Sequence, residues 1–257
     1  MLGPAGMRQQ GCASGEVDMA RAVALLAGAG LAAAAAHLAP ALTAFEPVRR
    51  RATPRLAGSG TPGHVALTFD DGPVPASTPA FLRVLGDLGW RATFFMLGEE
   101  VRRSPGLAAE VVAAGHEAAV HGDQHRNLLR RPPAATFEDL RRACDAVASA
   151  TGTEPAWFRP PYGLLSGTAA LAARLLGLQP VLWTTEGRDW RAEATATSII
   201  ADVAAHLAPG ATILLHDYAR SGSWRATLEA LPRLAELLHR RGLVAGPLAD
   251  HGLARPG

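Results

Sequence analysis

The sequence predicts an α/β fold, a distorted (β/α) barrel of about seven units preceded by an N-terminal hydrophobic segment. Three observations predict it. Short apolar runs of strand character alternate with amphipathic stretches of helical period, the order that parallel strands joined by crossover helices produce. Five of those runs are followed at once by groups able to ligate a metal or move a proton: VALTF before Asp70-Asp71, EAAV before His121, AWF before Arg159, VLW before Glu186 to Asp189, and TILL before His216-Asp217. Polar side chains gathered at the C-terminal ends of distant strands are what a barrel presents at its mouth, so one shared site is expected. Finally, an eight-unit barrel takes about 250 residues, whereas Val65 to Gly246 spans 182.

Taken in order, residues 1–21 read as an N-terminal tail, 22–45 as a hydrophobic segment, 46–63 as a basic, Gly/Pro-rich linker, and 64–257 as the folded domain. Within the domain, strands are expected at Val65–Phe69, Ala92–Met96, Glu117–Val120, Trp157–Arg159, Pro180–Trp183 and Thr212–His216, with a weaker one at Leu243–Ala245. Helices are expected at Thr78–Leu88, Leu107–Ala114, Phe137–Ala150, Thr168–Leu176, Thr197–Leu207 and Arg225–Arg240, where apolar positions recur on one face.

Composition closes off several chemistries. All 25 basic residues are Arg, and without Lys there is no Walker-A phosphate loop, Schiff-base catalysis or Ser-Lys hydrolysis. Six Arg against three acids precede residue 60, and nineteen against twenty follow it, so the folded part is close to neutral. A nucleic-acid partner, which requires a basic face to displace counterions, is not expected. Cys12 and Cys144 lie on either side of the apolar segment and are not expected to pair; Cys144 reads as a packing residue.

Ala22 to Phe45 carries no charged residue. At about 1.5 Å per residue it is long enough to cross a bilayer. Read from Met19, with Arg21 as its n-region, it also fits a signal peptide. Either reading fits a domain outside the cytoplasm, anchored or secreted, but Arg49, Arg50, Arg51 and Arg55 run against both by the positive-inside rule. That cluster reads as a solvated linker or as a contact for anionic lipid heads. The domain is expected to be monomeric.

The chemistry resides in combinations. His121 and His125 stand four apart, across one helical turn or a tight loop, and an H-x-x-x-H pair is weak by itself. Asp70-Asp71 before Gly-Pro can be no more than a turn. Together at neighbouring strand ends they offer two nitrogens and one oxygen with a fourth position open, the pattern of a catalytic zinc site.

In order along the chain, Thr68-Phe69-Asp70-Asp71-Gly72-Pro73, His121-Gly-Asp-Gln-His125, Arg159-Pro160-Pro161-Tyr162-Gly163, Asp189-Trp190 and Leu214-Leu215-His216-Asp217 resemble the five motifs of the polysaccharide deacetylases of carbohydrate esterase family 4. The resemblance implies a metal-dependent hydrolase that removes acetyl groups, N-acetyl before O-acetyl, from an acetylated glycan such as peptidoglycan, chitin or xylan. It makes Asp71, His121 and His125 the ligands of Zn²⁺, with Co²⁺ or another divalent metal as a substitute. Asp70 becomes the general base, Arg159 its partner that keeps it ionised, His216 the general acid and Asp189 the carboxylate that favours its protonated form. The backbone N–H of Tyr162 becomes an oxyanion donor on a loop stiffened by Pro160 and Pro161, and Trp190 and Leu214 become walls of the acetyl pocket, although by themselves they read equally as core residues.

Two positions depart from the family pattern. Gly122 replaces a Ser or Thr, which predicts a missing loop hydrogen bond, and Glu186 stands where another acid is common. Asp217 reads as a structural group. Trp224 reads equally as a sugar-stacking aromatic or a helix-start anchor, and His64, His116, His206, His239 and His251 read as surface or packing residues. A phosphotransfer enzyme would use mostly oxygen ligands. A non-catalytic glycan-binding descendant of the fold is the alternative, and its mark would be loss of an acid, base or ligand; Asp70, Asp71, His121, His125 and His216 are all present.

Overall fold

A computed structural model describes the chain from Ala13 to Leu253, with side chains from Ala24 onward. Cys12 therefore lies outside the described residues. Helix α1 (Ala13–Leu38) runs into a 3-10 segment (Ala39–Ala44) and then α2 (Glu46–Ala52). The domain follows as β1 (His64–Asp70), α3 (Thr78–Asp87), β2 (Thr93–Met96), α4 (Gly98–Arg103), α5 (Pro105–Ala113), β3 (Glu117–Val120), α6 (Pro133–Thr151), β4 (Trp157–Phe158), α7 (Gly167–Leu175), β5 (Gln179–Pro180), β6 (Thr185–Glu186), α8 (Ala196–His206), β7 (Thr212–His216), α9 (Trp224–Arg240) and β8 (Val244–Gly246).

All pairings in the sheet are parallel, in the order β5-β4-β3-β2-β1-β7-β6, with β8 on the first half of β1. This is the expected distorted barrel of about seven units, curled but left open between β5 and β6. Strand β1 is central, and Val65 to Asp70 are all buried, which is why its sequence is a continuous apolar run and not an alternating one. Outward-facing Phe69, Phe94, Val120 and Ile213 join the buried stripes of the helices in one large core. A smaller cluster of Ala66, Phe95, Ala119, Trp157 and Val181 fills the other face of the sheet.

Three local expectations are corrected. The run Pro180–Trp183 is not one strand. The chain pairs with β4 at Gln179 and Pro180, Val181 still donates its N–H to the Phe158 carbonyl at 2.9 Å, and Leu182 then donates its N–H to the Leu56 carbonyl at 2.6 Å. Pairing resumes at β6, so Trp183 sits in the gap between two sheet edges. Nor is the 46–63 stretch a free linker. Pro47 opens α2 with its fixed φ, and Ala57 and Gly58 are buried in the barrel opening, where Thr212 donates its hydroxyl to the Gly58 carbonyl at 2.6 Å. Finally, Arg49 is not solvated. It is 4% exposed, bonds the carbonyls of Thr43 and Ala44, and lies 5.1 Å from the Trp183 ring centroid.

Among the described residues one helical stretch, Ala24–Ala44, is long and apolar enough to cross a membrane, and of its residues only Thr43 is buried. Its C-terminal part meets the domain: Ala36 lies against Gly167, and His37 contacts the Leu129 carbonyl at 3.1 Å.

Candidate active site

The C-terminal ends of β1, β3, β4, β6 and β7 deliver the predicted groups to one mouth. A cavity of about 400 Å³ there is lined by Asp70, Asp71, His121, His125, Tyr162, Gly163, Trp183, Glu186, Trp190, Leu214 and His216. That volume suits a small-molecule or single-sugar subsite. Arg159, Pro161 and Asp189 are buried directly behind its walls.

Asp70 and Asp71 diverge as adjacent residues at a strand end must. Asp70, the last residue of β1, receives Arg159 Nη1 at 2.7 Å, and the same Arg159 nitrogen reaches Thr68 at 2.8 Å. Arg159 also donates to the Leu182 carbonyl, so it ties β1 to the gap. Burial pushes the Asp70 carboxyl above its ordinary range, against the pull of Arg159, His216 and His125. Arg159 is thus paired with Asp70 as expected and opposes the desolvation that would otherwise favour the neutral carboxyl.

Asp71 leaves the strand with φ 80°. A left-handed conformation in a residue bearing Cβ costs about 1–3 kcal/mol and persists where neighbours enforce it. It brings Oδ1 to 3.5 Å from His121 Nε2 and 3.6 Å from His125 Nε2. These separations are too long for hydrogen bonds. They match the edge of a tetrahedron whose ligands lie about 2.0–2.1 Å from a zinc-sized ion. Asp71 Oδ1 is also buried without any hydrogen-bond partner, a desolvation cost that a cation would remove. The three side chains form the group among the described residues whose donor atoms lie within 4.8 Å of one another.

The imidazoles are prepared for this role. His121 Nδ1 lies 2.8 Å from the Arg159 carbonyl. A carbonyl only accepts, so Nδ1 carries the hydrogen and Nε2 keeps its lone pair. Burial lowers the His121 pKa to about 3, against the charge of Asp71, so the ring is neutral. The H-x-x-x-H pair is carried by a loop, not a helix. Gly122 has φ 89°, and Asp123 N–H donates to Asp139 Oδ2 from α6 at 2.9 Å. A Cβ at Gly122 would lie 3.1 Å from that same carboxylate oxygen. Gly122 has no side chain to bond the loop, and Asp139 holds the loop from α6 through the neighbouring Asp123 N–H.

On the facing wall, His216 Nδ1 donates to Asp189 Oδ1 at 2.8 Å, which leaves Nε2 available to the cavity. Asp189 is fully buried, and its Oδ2 accepts from the His216 N–H at 2.7 Å and the Thr227 hydroxyl at 2.8 Å. Burial would lower the His216 pKa, but the charge and hydrogen bond of Asp189, with the charges of Asp71 and Asp70, outweigh it and raise the pKa to about 10. Trp190 packs edge-on against His216, with centroids 5.5 Å apart.

Sequence reasoning missed Trp183. Its Nε1 donates to Glu186 Oε2 at 2.8 Å, while Arg188 holds the other Glu186 oxygen at 3.3 Å, which gives the departed Glu186 position a bracing role. Gly163 accommodates the ring, since a Cβ there would lie 2.6 Å from the indole. The available signal was an aromatic residue ending an apolar run three residues before an acid. Asp217 is buried beneath β7, bonded by the Thr78 hydroxyl, with its pKa raised by burial to about 7, as a structural group would be. Trp224 begins α9 and packs on the core, and it does not line the cavity. Cys144 is a packing residue whose thiol burial pushes up to about 12.

The polysaccharide deacetylase family model matches residues 57–181. A chitooligosaccharide deacetylase of Bradyrhizobium is 38% identical over 194 residues, covering 72% of this chain and 88% of the relative. The chain therefore belongs to the polysaccharide deacetylase family, a class of carbohydrate-modifying hydrolases. Among solved structures, a peptidoglycan N-acetylglucosamine deacetylase (Bc1960) superposes with TM-score 0.73 at 27% identity, over 83% of this chain and 99% of that one. A mutant of BA3943, a pseudoenzyme of carbohydrate esterase family 4 with restored activity, gives TM-score 0.69 at 26% identity, over 76% of this chain and 68% of that one.

Proposed function

We propose that this protein is a zinc-dependent deacetylase that hydrolyses N-acetyl groups of an extracytoplasmic glycan. The observation that carries the reading is the Asp71 carboxylate oxygen, buried and unpartnered between two imidazole nitrogens. Asp71, His121 and His125 would hold the ion, which when bound supplies Lewis acidity and an acidified water.

The chain's own residues account for the proton movements. Asp70 takes the proton of the attacking water as its oxygen bonds to the acetamide carbon. The backbone N–H of Tyr162 stabilises the developing oxyanion; the loop carrying it is fixed by Pro160 and Pro161, with Tyr162 itself at φ 62°. When the C–N bond breaks, the nitrogen takes the proton of His216 Nε2, acetate is released, and the free amine remains on the sugar. Asp189 keeps His216 protonated for that step, and Trp190 and Leu214 wall the acetyl group. Because BA3943 shows that the fold can persist without activity, retention of Asp70, Asp71, His121, His125 and His216 is what favours catalysis here.

Acetate release from chitin oligomers, peptidoglycan and acetylxylan tests the reading. Chelation is expected to abolish release, and Zn²⁺ or Co²⁺ to restore it; full activity with metal verified as absent would refute it. The apolar stretch Ala24–Ala44 supports an anchored or secreted domain, and a C-terminal topology reporter active only in the cytoplasm would refute that location.

A further inference from the structure

The catalytic cavity continues into a second groove of about 640 Å³ that shares His125 and Tyr162 with it. A single-sugar cavity cannot hold an oligomer, so sugars attached to the reacting one have to leave along a connected groove. This one is walled by the stretch after His125, which carries Arg126 and Arg130, and by the loop after β7, which carries Arg220. Arg220 also lines the space between the groove and Asp71.

Charge in the groove is not balanced. Arg131 is paired with Asp139 at 2.7 Å, and Arg103 meets both Glu99 and Glu100. Arg126, by contrast, touches only the neutral Gln124 amide, at 2.9 Å, and the side chains of Arg130 and Arg220 have no hydrogen-bond or acidic partner among the described residues. Three unpaired guanidinium groups thus face one uncompensated carboxylate. The near-neutral total of residues 60–257 conceals this local excess. Guanidinium forks match carboxylate and phosphate oxygens in geometry as well as sign.

Resting on the deacetylase reading, we propose that Arg126, Arg130 and Arg220 form a subsite for an anionic substituent on the glycan, a carboxylate or phosphate carried by a sugar next to the one deacetylated. The unpaired arginines then set substrate preference, and the catalytic groups are indifferent to it.

The test uses metal-loaded full-length protein and three oligomers of equal length: neutral N-acetylglucosamine, peptide-free strands alternating with N-acetylmuramic acid, and phosphorylated N-acetylglucosamine. Binding is measured in an Asp70→Asn background and acetate release in the wild type, each with and without the triple change R126A/R130A/R220A. At least one anionic oligomer is expected to bind roughly tenfold or more tightly than the neutral one, through KM. The triple change is expected to remove that preference while leaving release from the neutral oligomer intact, and high salt to weaken it, since exposed charges are screened. Whichever anionic oligomer responds identifies the group. Equal affinity for all three oligomers, a preference that survives the triple change, or an effect of that change confined to anionic lipid vesicles would overturn the proposal. Anionic preference without acetate release from any oligomer would leave the subsite standing and refute the deacetylase reading instead.

Discussion

The two walls of the catalytic cavity are built in different ways. The metal wall comprises Asp70, Asp71, His121 and His125, held by Arg159 and by the Asp139 bond to the loop. Its groups come from two short motifs on nearby strands and are organised by charge and hydrogen bonds. The opposite wall comprises His216, Trp190 and Trp183. Thr227 bonds Asp189 behind His216, and Trp183 is held from outside the matched family region, by Arg49. The difference teaches that reactivity can be specified locally, whereas the shape around it depends on whatever closes the open edge of the barrel.

The comparison breaks most completely at the metal ligands. Asp71→Asn or His121→Ala is expected to reduce bound Zn²⁺ to background and acetate release with it, measured by metal analysis after gel filtration. Metal content equal to wild type would show that the ion is held elsewhere. Next in size is the division between base and ligand. Asp70→Asn is expected to retain the metal and lower kcat by roughly 10²- to 10⁴-fold, the usual contribution of general-base assistance. His216→Ala is expected to give a loss of the same kind, on leaving-group protonation. Loss of metal from Asp70→Asn, with Asp71→Asn unimpaired, would reverse the assigned roles.

The opposite wall is sharpened by pH. The proposed mechanism requires Asp70 ionised and His216 protonated. The raised Asp70 pKa places the acid limb above the ordinary carboxylate range, and the alkaline limb follows His216. Asp189→Asn removes the anion and weakens the hydrogen bond that raise the His216 pKa, so burial then dominates and the alkaline limb moves to lower pH. A charge-assisted bond contributes about 1.5–3 kcal/mol, which is roughly one to two pH units. An unmoved alkaline limb would show that His216 does not set it.

What was legible in the sequence follows the same division. The strand ends and all the cavity groups of the metal wall could be read because each motif places its ligands within a few residues of an apolar run. Strand β5, β6 and the gap between them could not, because Val181, Leu182 and Trp183 have the composition of a strand and only the neighbouring edges decide where pairing stops. Helix α2 was read as linker for a related reason. Its three consecutive arginines suggest solvent, and the burial of Arg49 depends on an indole 134 positions away.

That buried arginine carries the smallest expected effect. Arg49 lies over Trp183 at 5.1 Å while Arg159 approaches the same ring at 5.8 Å, and Glu186 holds the indole N–H. The ring is therefore set between two cations and an acid, at the edge of a cavity whose other side carries the proposed metal ligands. A desolvated cation–π contact contributes about 0.5–2 kcal/mol, and neither the ligands nor Asp70 touches Arg49. Arg49→Ala is expected to lower kcat/KM several-fold, mainly through KM because the wall positions substrate and does not move protons, with metal content and the pH limbs unchanged. Arg49→Lys, which keeps the charge but loses the bonds of a guanidinium fork to Thr43 and Ala44, is expected to recover part of the loss. Unchanged kinetics in Arg49→Ala would show that the gap is held by Leu56 and Gly58 alone; a loss of bound metal would show that the two walls are coupled through Arg159.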